Sequence, residues 1–353
     1  MWSSGEAGVK LANSILQIGC GAFGPAHLAA WRALGVADRL VVADPNPATA
    51  STVHAICPQA RVVADWRTAL AAADLVDILT PSDTHHAIAK AALAAGKDLF
   101  IEKPVTVTVD EAAELERLAV STRRIVQCGL YFRFHPKAQG LQAMIAAGAF
   151  GRLRFLSGRF LGLKRARGDS GALHNDAVHF IDLLTWLAGE PPRTVYAVAR
   201  DHFGRGMDDL AVLQLVYPSG AAALIETGYI QPGRWPDAVT PGAVTSKEIA
   251  VTGEAAVAEI DFAAERAAVQ RGAHRPVDGI WRPDYGALED PGWPAADPVA
   301  VVTAELAHFL DCARTRRAPP AGLRDCAVVP AAVIEAAITS ARDNRVVEIN
   351  YPE

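Results

Sequence analysis

The sequence predicts an α/β N-terminal domain with a doubly wound parallel sheet over residues 1–130. An α+β domain with a large open, mostly antiparallel sheet is expected over residues 131–353. Three observations lead there. A chain of 353 residues is too long for one ordinary core. Short apolar runs alternate with helical patterns up to about residue 128. After "GRLRFLSGRF" (151–160) the rhythm changes to one strong helix, then strands spaced by turn signals.

In the first domain "ILQIG" (15–19), "RLVVAD" (39–44), "ARVVA" (60–64), "LVDILT" (75–80), "DLFIEK" (98–103) and "RIVQCG" (124–129) read as buried strands. Ala- and Leu-rich segments with helical spacing lie between them, as in "HHAIAKAALAAGK". Apolar strands alternating with helices imply a parallel sheet covered on both faces. In the second domain a helix over 172–188 is ended by "GEPP". "TVYAVAR", "DLAVLQLVY", "AAALIETGYI", "KEIAVTG" and "AVAEIDF" follow as strands, with "PSG" and "GE" as turns. Residues 263–297, rich in Pro, Gly and Trp, read as an irregular loop. Two helices, "VVTAELAHFLDCARTR" and "LRDCAVVPAAVIEAAITSARDN", and a short strand, "RVVEIN", close the chain. The last helix is free to pack back on the first domain.

Composition narrows the function. Apolar residues make up 51% and charged residues 21%, a globular composition. A net charge of -5 gives no electrostatic case for nucleic acid or an anionic membrane. Five scattered cysteines without CxxC spacing predict reduced thiols and neither a disulfide frame nor a metal site. "MWSSGEAGVKLANS" has no basic segment followed by an apolar one, so no signal peptide is expected and a cytoplasmic location is.

"ILQIGCGAFG" places Gly19, Gly21 and Gly24 as GxGxxG after a strand and before a helix, with Ala22 and Phe23 inside the motif. The first glycine permits a tight turn, the second lets backbone approach a pyrophosphate, and the third lets helix pack on strand. The helix N-terminus offers free N–H groups to phosphate, and Pro25 suits a first turn. The second strand ends in Asp44, whose carboxylate can bind both ribose hydroxyls and would repel a 2′-phosphate. That favours NAD over NADP; the plainer alternative is a glycine-rich turn beside an incidental acid. "DLFIEKPVTVT" ends the fifth strand with Glu102, Lys103 and Pro104, where carboxyl ends of parallel strands border a ligand crevice. A lysine there can stabilise an alkoxide while hydride leaves, or simply reach to water.

"GCGAFG", "TPSDTHHAIAKAALAAGKDLFIEKP" and "GALHNDAVHFIDLLTWL" have the order and spacing of the Gfo/Idh/MocA oxidoreductases, which the chain resembles over nearly its whole length. The resemblance implies a Rossmann domain, an open sheet that assembles a homodimer or homotetramer, and NAD(P)-dependent chemistry on sugars or cyclitols. It implies that Lys103 is catalytic and that Thr80, Pro81, His85 and Glu102 lie along the cofactor.

On the helix, Asn175 and His179 are four apart and share a face, with Asp182 near the same edge. The family has Asp where Asn175 stands and His where His179 stands. An amide binds a hydroxyl but exchanges no proton, so the proton falls to His179, helped by Lys103. His174 reads as a surface residue. Asn175 also resembles nucleotide-sugar 3-dehydrogenases of the family. Arg159, Lys164, Arg165 and Arg167 form either a clamp for phosphate or carboxylate or a solvated basic loop. Arg234 and Trp235 are further candidate nucleotide contacts, and Tyr131 stands where the family often has Asn. The leading expectation is an NAD-dependent oxidoreductase acting on a ring hydroxyl or ketone of a sugar or nucleotide-sugar. A cyclitol dehydrogenase, a sugar-ketone reductase of natural-product assembly and a non-catalytic dinucleotide-binding regulator are the alternatives.

Overall fold

A computed structural model describes residues 14–164, 166, 168, 170–240 and 242–352. The N-terminal stretch read for a leader falls almost wholly outside the described residues, as do Arg165 and Arg167.

The first sheet is built in the expected order. β1 (Ile15–Ile18), α1 (Gly24–Ala33), β2 (Leu40–Ala43), α2 (Thr49–Ile56), β3 (Arg61–Val63), α3 (Arg67–Leu70) and β4 (Leu75–Ile78) come first. α4 (Ser82–Ala94), β5 (Asp98–Glu102), α5 (Val109–Thr122) and β6 (Val126–Gly129) complete it. The strand order β3-β2-β1-β4-β5-β6 is all parallel and reverses direction beside β1. β1 and β4–β6 are buried along their whole length, which is why they are apolar-rich on both faces and do not alternate.

The second sheet has ten strands. After α6 (Pro136–Ala146) come β7 (Leu153–Leu163), a π-turn at Leu173–Ala177 and α7 (Val178–Ala188). β8 (Thr194–Arg200), β9 (Leu210–Val216), β10 (Ala222–Gly228), β11 (Trp235–Pro236), β12 (Val244–Gly253), β13 (Ala256–Asp261), β14 (Arg266–Val277) and β15 (Ile280–Glu289) follow. α8 (Pro298–Thr315), α9 (Val329–Asp343) and β16 (Val347–Glu348) end the chain. The order is β15-β14-β13-β12-β7-β10-β9-β8-β16, with β11 on β12; β7–β10 is the parallel pair among the described strands. One face is covered: Phe180, Ile181 and Leu184 of α7 and Val333 and Ile334 of α9 pack on Leu156, Leu213, Ile225 and Ile249.

The stretch 263–297 is not an irregular loop. It holds β14 and β15, a long antiparallel hairpin turned at Asp278 (φ 51°) and Gly279 (φ 77°). Two consecutive residues with positive φ make a two-residue hairpin turn, for which Asp-Gly is a favoured pair. The alternation that normally reveals strands is missing because β15 is exposed on both faces, and Pro283 is tolerated on an edge strand.

α8 leaves the second sheet and lies on the first. Val302, Leu306 and Phe309 pack with Leu28 and Trp31 of α1 and Phe100 of β5. Cys326, Ala327 and Val328, just before α9, join the opposite face of the first sheet with Leu93 and Leu115. Both domains are therefore cored partly by the C-terminal segment. Phe309→Ala should destabilise the whole chain by about 3–5 kcal/mol in urea unfolding, because it empties a contact among three elements.

Candidate active site

The dinucleotide end is built by three glycines. Gly19 has φ 92°, and a Cβ there would sit 2.9 Å from the Leu79 carbonyl carbon, so only glycine fits. A Cβ on Gly21 would meet nothing within 4 Å, which leaves its backbone open to a ligand. A Cβ on Gly24 would lie 2.8 Å from Cys20 Sγ, so α1 packs tightly on the loop. α1 starts without a side-chain cap, leaving its first N–H groups for an anion. Ala22 is exposed and Phe23 half-buried, edge-on to His27 at 5.3 Å. Asp44 accepts Cys20 N–H (2.8 Å) on Oδ2 and Asn46 N–H (2.9 Å) on Oδ1. Each oxygen keeps acceptor capacity, so the residues present fit a dinucleotide.

The carboxyl ends of β4 and β5 form the neighbouring wall. Thr80 is half-buried and Pro81 exposed. His85 is buried behind them, its ring nitrogens 2.8 Å from Thr80 O and 2.9 Å from Pro104 O. It ties the loop after β4 to the loop after β5 and is not itself open to the cleft. The Lys103–Pro104 peptide is cis. Glu102 accepts Lys103 N–H on Oε2 (3.1 Å) and meets His27 Nε2 with Oε1 (3.3 Å).

Lys103 crosses to the second domain. Its ammonium donates to Asn175 O (2.8 Å) and Asn175 Oδ1 (3.3 Å). Asn175 lies in the π-turn that leads into α7, a distortion frequent at functional sites. Its amide nitrogen donates to Asp176 Oδ1 (2.8 Å) and Tyr229 Oη (3.3 Å). Lys164 reaches the same Asp176 oxygen at 2.8 Å. His179, one turn on, is 9% exposed and ringed by Phe132 (5.3 Å) and Phe160 (5.8 Å). Its Nδ1 has no hydrogen-bond partner among the described residues. Burial pushes the imidazole well below its ordinary pKa, and the Lys103, Lys247 and Lys164 ammonium groups push it further. His179 is thus a neutral base close to three cations.

Other predicted positions lie elsewhere. Arg159 neighbours Phe160 on β7, and strand alternation turns it to the opposite face from His179, where it pairs with Glu226 at 2.9 Å. It does not line this site. Tyr131 packs edge-on to Phe132 (5.3 Å) at the junction of the cores. Arg234 pairs with Glu248 (3.5 Å) and Trp235 Nε1 donates to Asp261 (2.9 Å). His174 is half-buried, not a surface residue; it lines a cavity of about 500 Å³ with Ser82, Ser170 and Asp208.

Known proteins match this architecture. Residues 14–130 match the oxidoreductase family with an NAD-binding Rossmann fold, and residues 138–259 match the GFO/IDH/MocA C-terminal domain. The chain belongs to the Gfo/Idh/MocA oxidoreductase family. It is 33% identical over 201 residues to an inositol 2-dehydrogenase of Acidothermus cellulolyticus, covering 55% of this chain and 58% of that protein. It is 32% identical over 188 residues to a UDP-N-acetylglucosamine 3-dehydrogenase of Acidithiobacillus ferrooxidans, covering 52% of this chain and 58% of that protein. These matches thus span under two thirds of the relatives' length. The structure of levoglucosan dehydrogenase in complex with NADH and levoglucosan superimposes with a TM-score of 0.80 at 21% identity, over 95% of this chain and 98% of that one.

Three contacts of this Gfo/Idh/MocA chain are not apparent from its sequence. Arg133 makes a bidentate pair with Asp182 (Nε–Oδ2 2.8 Å, Nη2–Oδ1 2.7 Å), fixing α7 against the end of β6. Lys247 pairs with Asp237 at 2.8 Å beside Phe160. The signal was an ion on a strand's apolar face: Lys247, Ile249 and Val251 alternate together. Third, His27 of α1 is fully buried between Asp77 (2.9 Å) and Glu102 (3.3 Å), and Trp31 Nε1 also donates to Asp77 (2.9 Å). An aspartate inside the apolar run "LVDILT" was its signal.

Burial alone would lower the His27 pKa, but Asp77 and Glu102 outweigh it and hold it at about 10. A group raised on folding contributes stability that is full below its unfolded pKa and is lost as pH climbs through the folded one. The His27 contribution is therefore full below about pH 6.5 and gone above about pH 10. Chemical denaturation across that window should show wild type losing stability relative to His27→Gln, with a flatter slope in the variant.

Proposed function

We propose that this protein is an NAD-dependent oxidoreductase that moves a hydride between a ring CH–OH, or the matching ketone, of a sugar-like substrate and nicotinamide. The observation that carries this reading is the Lys103 ammonium at the end of β5, 2.8 Å from Asn175 O, with His179 one turn further along. It unites the carboxyl edge of a dinucleotide sheet, a cation and a neutral base in one cleft.

The bound dinucleotide supplies the hydride acceptor or donor. The Gly19–Gly24 loop and the α1 N-terminus receive the pyrophosphate, and Asp44 takes the ribose hydroxyls and disfavours a 2′-phosphate. Lys103 stabilises negative charge on the reacting oxygen. His179, held neutral, accepts the hydroxyl proton in the oxidation direction and returns it in reduction. Asn175 orients a hydroxyl and carries no proton. A regulator that only binds dinucleotide would need neither Lys103 nor His179 in this arrangement. The nucleotide-sugar reading keeps the support of the UDP-N-acetylglucosamine 3-dehydrogenase relative, but not of Arg159, which pairs with Glu226, nor of Lys164, which pairs with Asp176.

Free thiols at all five cysteines are consistent with a cytoplasmic location. We read the assembly as a homodimer or homotetramer through the second sheet, where Phe155, Leu224, Trp281, Tyr285 and Leu288 are exposed.

Lys103→Met and His179→Gln should each lower kcat by about a hundredfold or more, with the NAD Kd within about threefold of wild type. Steady-state rates with a polyol panel and fluorescence titration check this; near-wild-type rates in either variant would remove that residue from the chemistry. Lys103→Met should also raise the His179 pKa, read by NMR titration, because it removes the cation acting most strongly on that ring.

A further inference from the structure

Lys247 and Asp237 occupy the cleft without a role in the steps above. Lys247 stands directly opposite Phe160 across the β7–β12 ladder, so both side chains leave the sheet on the face that carries α7. The Lys247 and Lys164 ammonium groups lie 5.1 Å and 4.1 Å from the Phe160 ring centroid, and the His179 ring lies 5.8 Å from it. Asp237 is fixed by Thr245 Oγ1 (2.8 Å) and by the Val239 and Thr240 N–H groups (2.8 and 2.9 Å). The Lys247 and Asp237 side chains are 14% and 2% exposed, and those of Lys164 and Asp176 are 9% and 1% exposed.

We propose that the Lys247–Asp237 and Lys164–Asp176 pairs together bind the hydroxyls of an uncharged ring polyol, with Lys247 as a specificity-determining residue. This deepens the dehydrogenase reading and rests on it.

An ammonium has three donors and spends one on its carboxylate; a carboxylate has several acceptor sites. Asp176 Oδ2 is buried without a hydrogen-bond partner among the described residues, a vacancy that a hydroxyl fills. Both Asp237 oxygens are already filled, by the Val239 and Thr240 N–H groups and by Thr245 Oγ1 and Lys247, so vicinal hydroxyls accept from the spare Lys247 and Lys164 donors and donate to Asp176 Oδ2. A carboxylate or phosphate does not: it brings negative charge beside Asp176 and Asp237, whose cations are already matched in a poorly solvated place. Arg159 and Arg234 are likewise paired, with Glu226 and Glu248.

The test is calorimetry of the NADH-bound protein with myo-inositol, levoglucosan, glucuronate and UDP-N-acetylglucosamine, alongside kcat and KM with NAD. Lys247→Met should weaken polyol binding, and raise KM, by about tenfold or more, with the NADH Kd within about threefold. Because Lys247→Met strands a buried carboxylate, Lys247→Met/Asp237→Leu is measured in parallel, and it decides if the single variant no longer binds NADH. Wild-type polyol affinity in the variant would overturn the proposal, as would glucuronate or UDP-N-acetylglucosamine binding about tenfold tighter than either polyol. Silence from all four ligands while NADH still binds would also overturn it. Polyol binding that depends on Lys247 but leads to no NADH formation would uphold this site and defeat the hydride-transfer reading.

Discussion

The Lys103 ammonium joins two polypeptide regions that otherwise have separate sheets. It leaves the carboxyl end of β5 and donates to Asn175 on the π-turn before α7. One flexible side chain therefore sets where the dinucleotide edge meets the helix that carries His179. Its own base is held in turn: Glu102 accepts its backbone N–H, and His27 and Asp77 hold Glu102 from beneath. The far side of the contact is fixed by the Arg133–Asp182 fork, one turn beyond His179. Misplacing either end would move the two groups apart by distances that matter for chemistry.

The charges around this contact are arranged in matched sets. Arg133 meets Asp182, Lys164 meets Asp176, Lys247 meets Asp237 and His27 lies between two carboxylates. Buried pairs of this kind give little net stability over apolar packing, yet breaking one leaves an ion stranded in a medium that solvates it poorly. Their use here is orientation. They also create the environment of His179: desolvated, beside aromatic rings and near three ammonium groups, the imidazole stays neutral.

The C-terminal segment explains why the two halves act as one body. α8 completes the core under α1, and the turn before α9 completes the opposite face of the first sheet, while α9 itself covers the second sheet. The chain thus crosses between its halves before β7, again after β15 and a third time at the start of α9. β15 stands clear of both cores, with Trp281, Tyr285 and Leu288 exposed, while Val269 of β14 joins the core of the second sheet.

Local chemistry made much of this legible in the amino-acid order alone. Gly19, Gly21 and Gly24 after a strand, Asp44 at the next strand end, Lys103 before Pro104 and the Asn175–His179 spacing are short-range patterns, set by turn geometry and helical pitch. Buried parallel strands advertised themselves as short apolar-rich runs without alternation. The hairpin at 266–289 did not, because β15 is wet on both faces and β14 fully buries just Val269, so neither carries a hydrophobic rhythm. Tertiary structure alone decided which basic residues share the cleft. Arg159 and Lys164 are five apart in one basic stretch, but pleating sends the first to the far face of the sheet while the second meets Asp176. Lys247 comes close to His179 only through the pairing of β12 with β7, a contact between segments some eighty residues apart that no local pattern encodes.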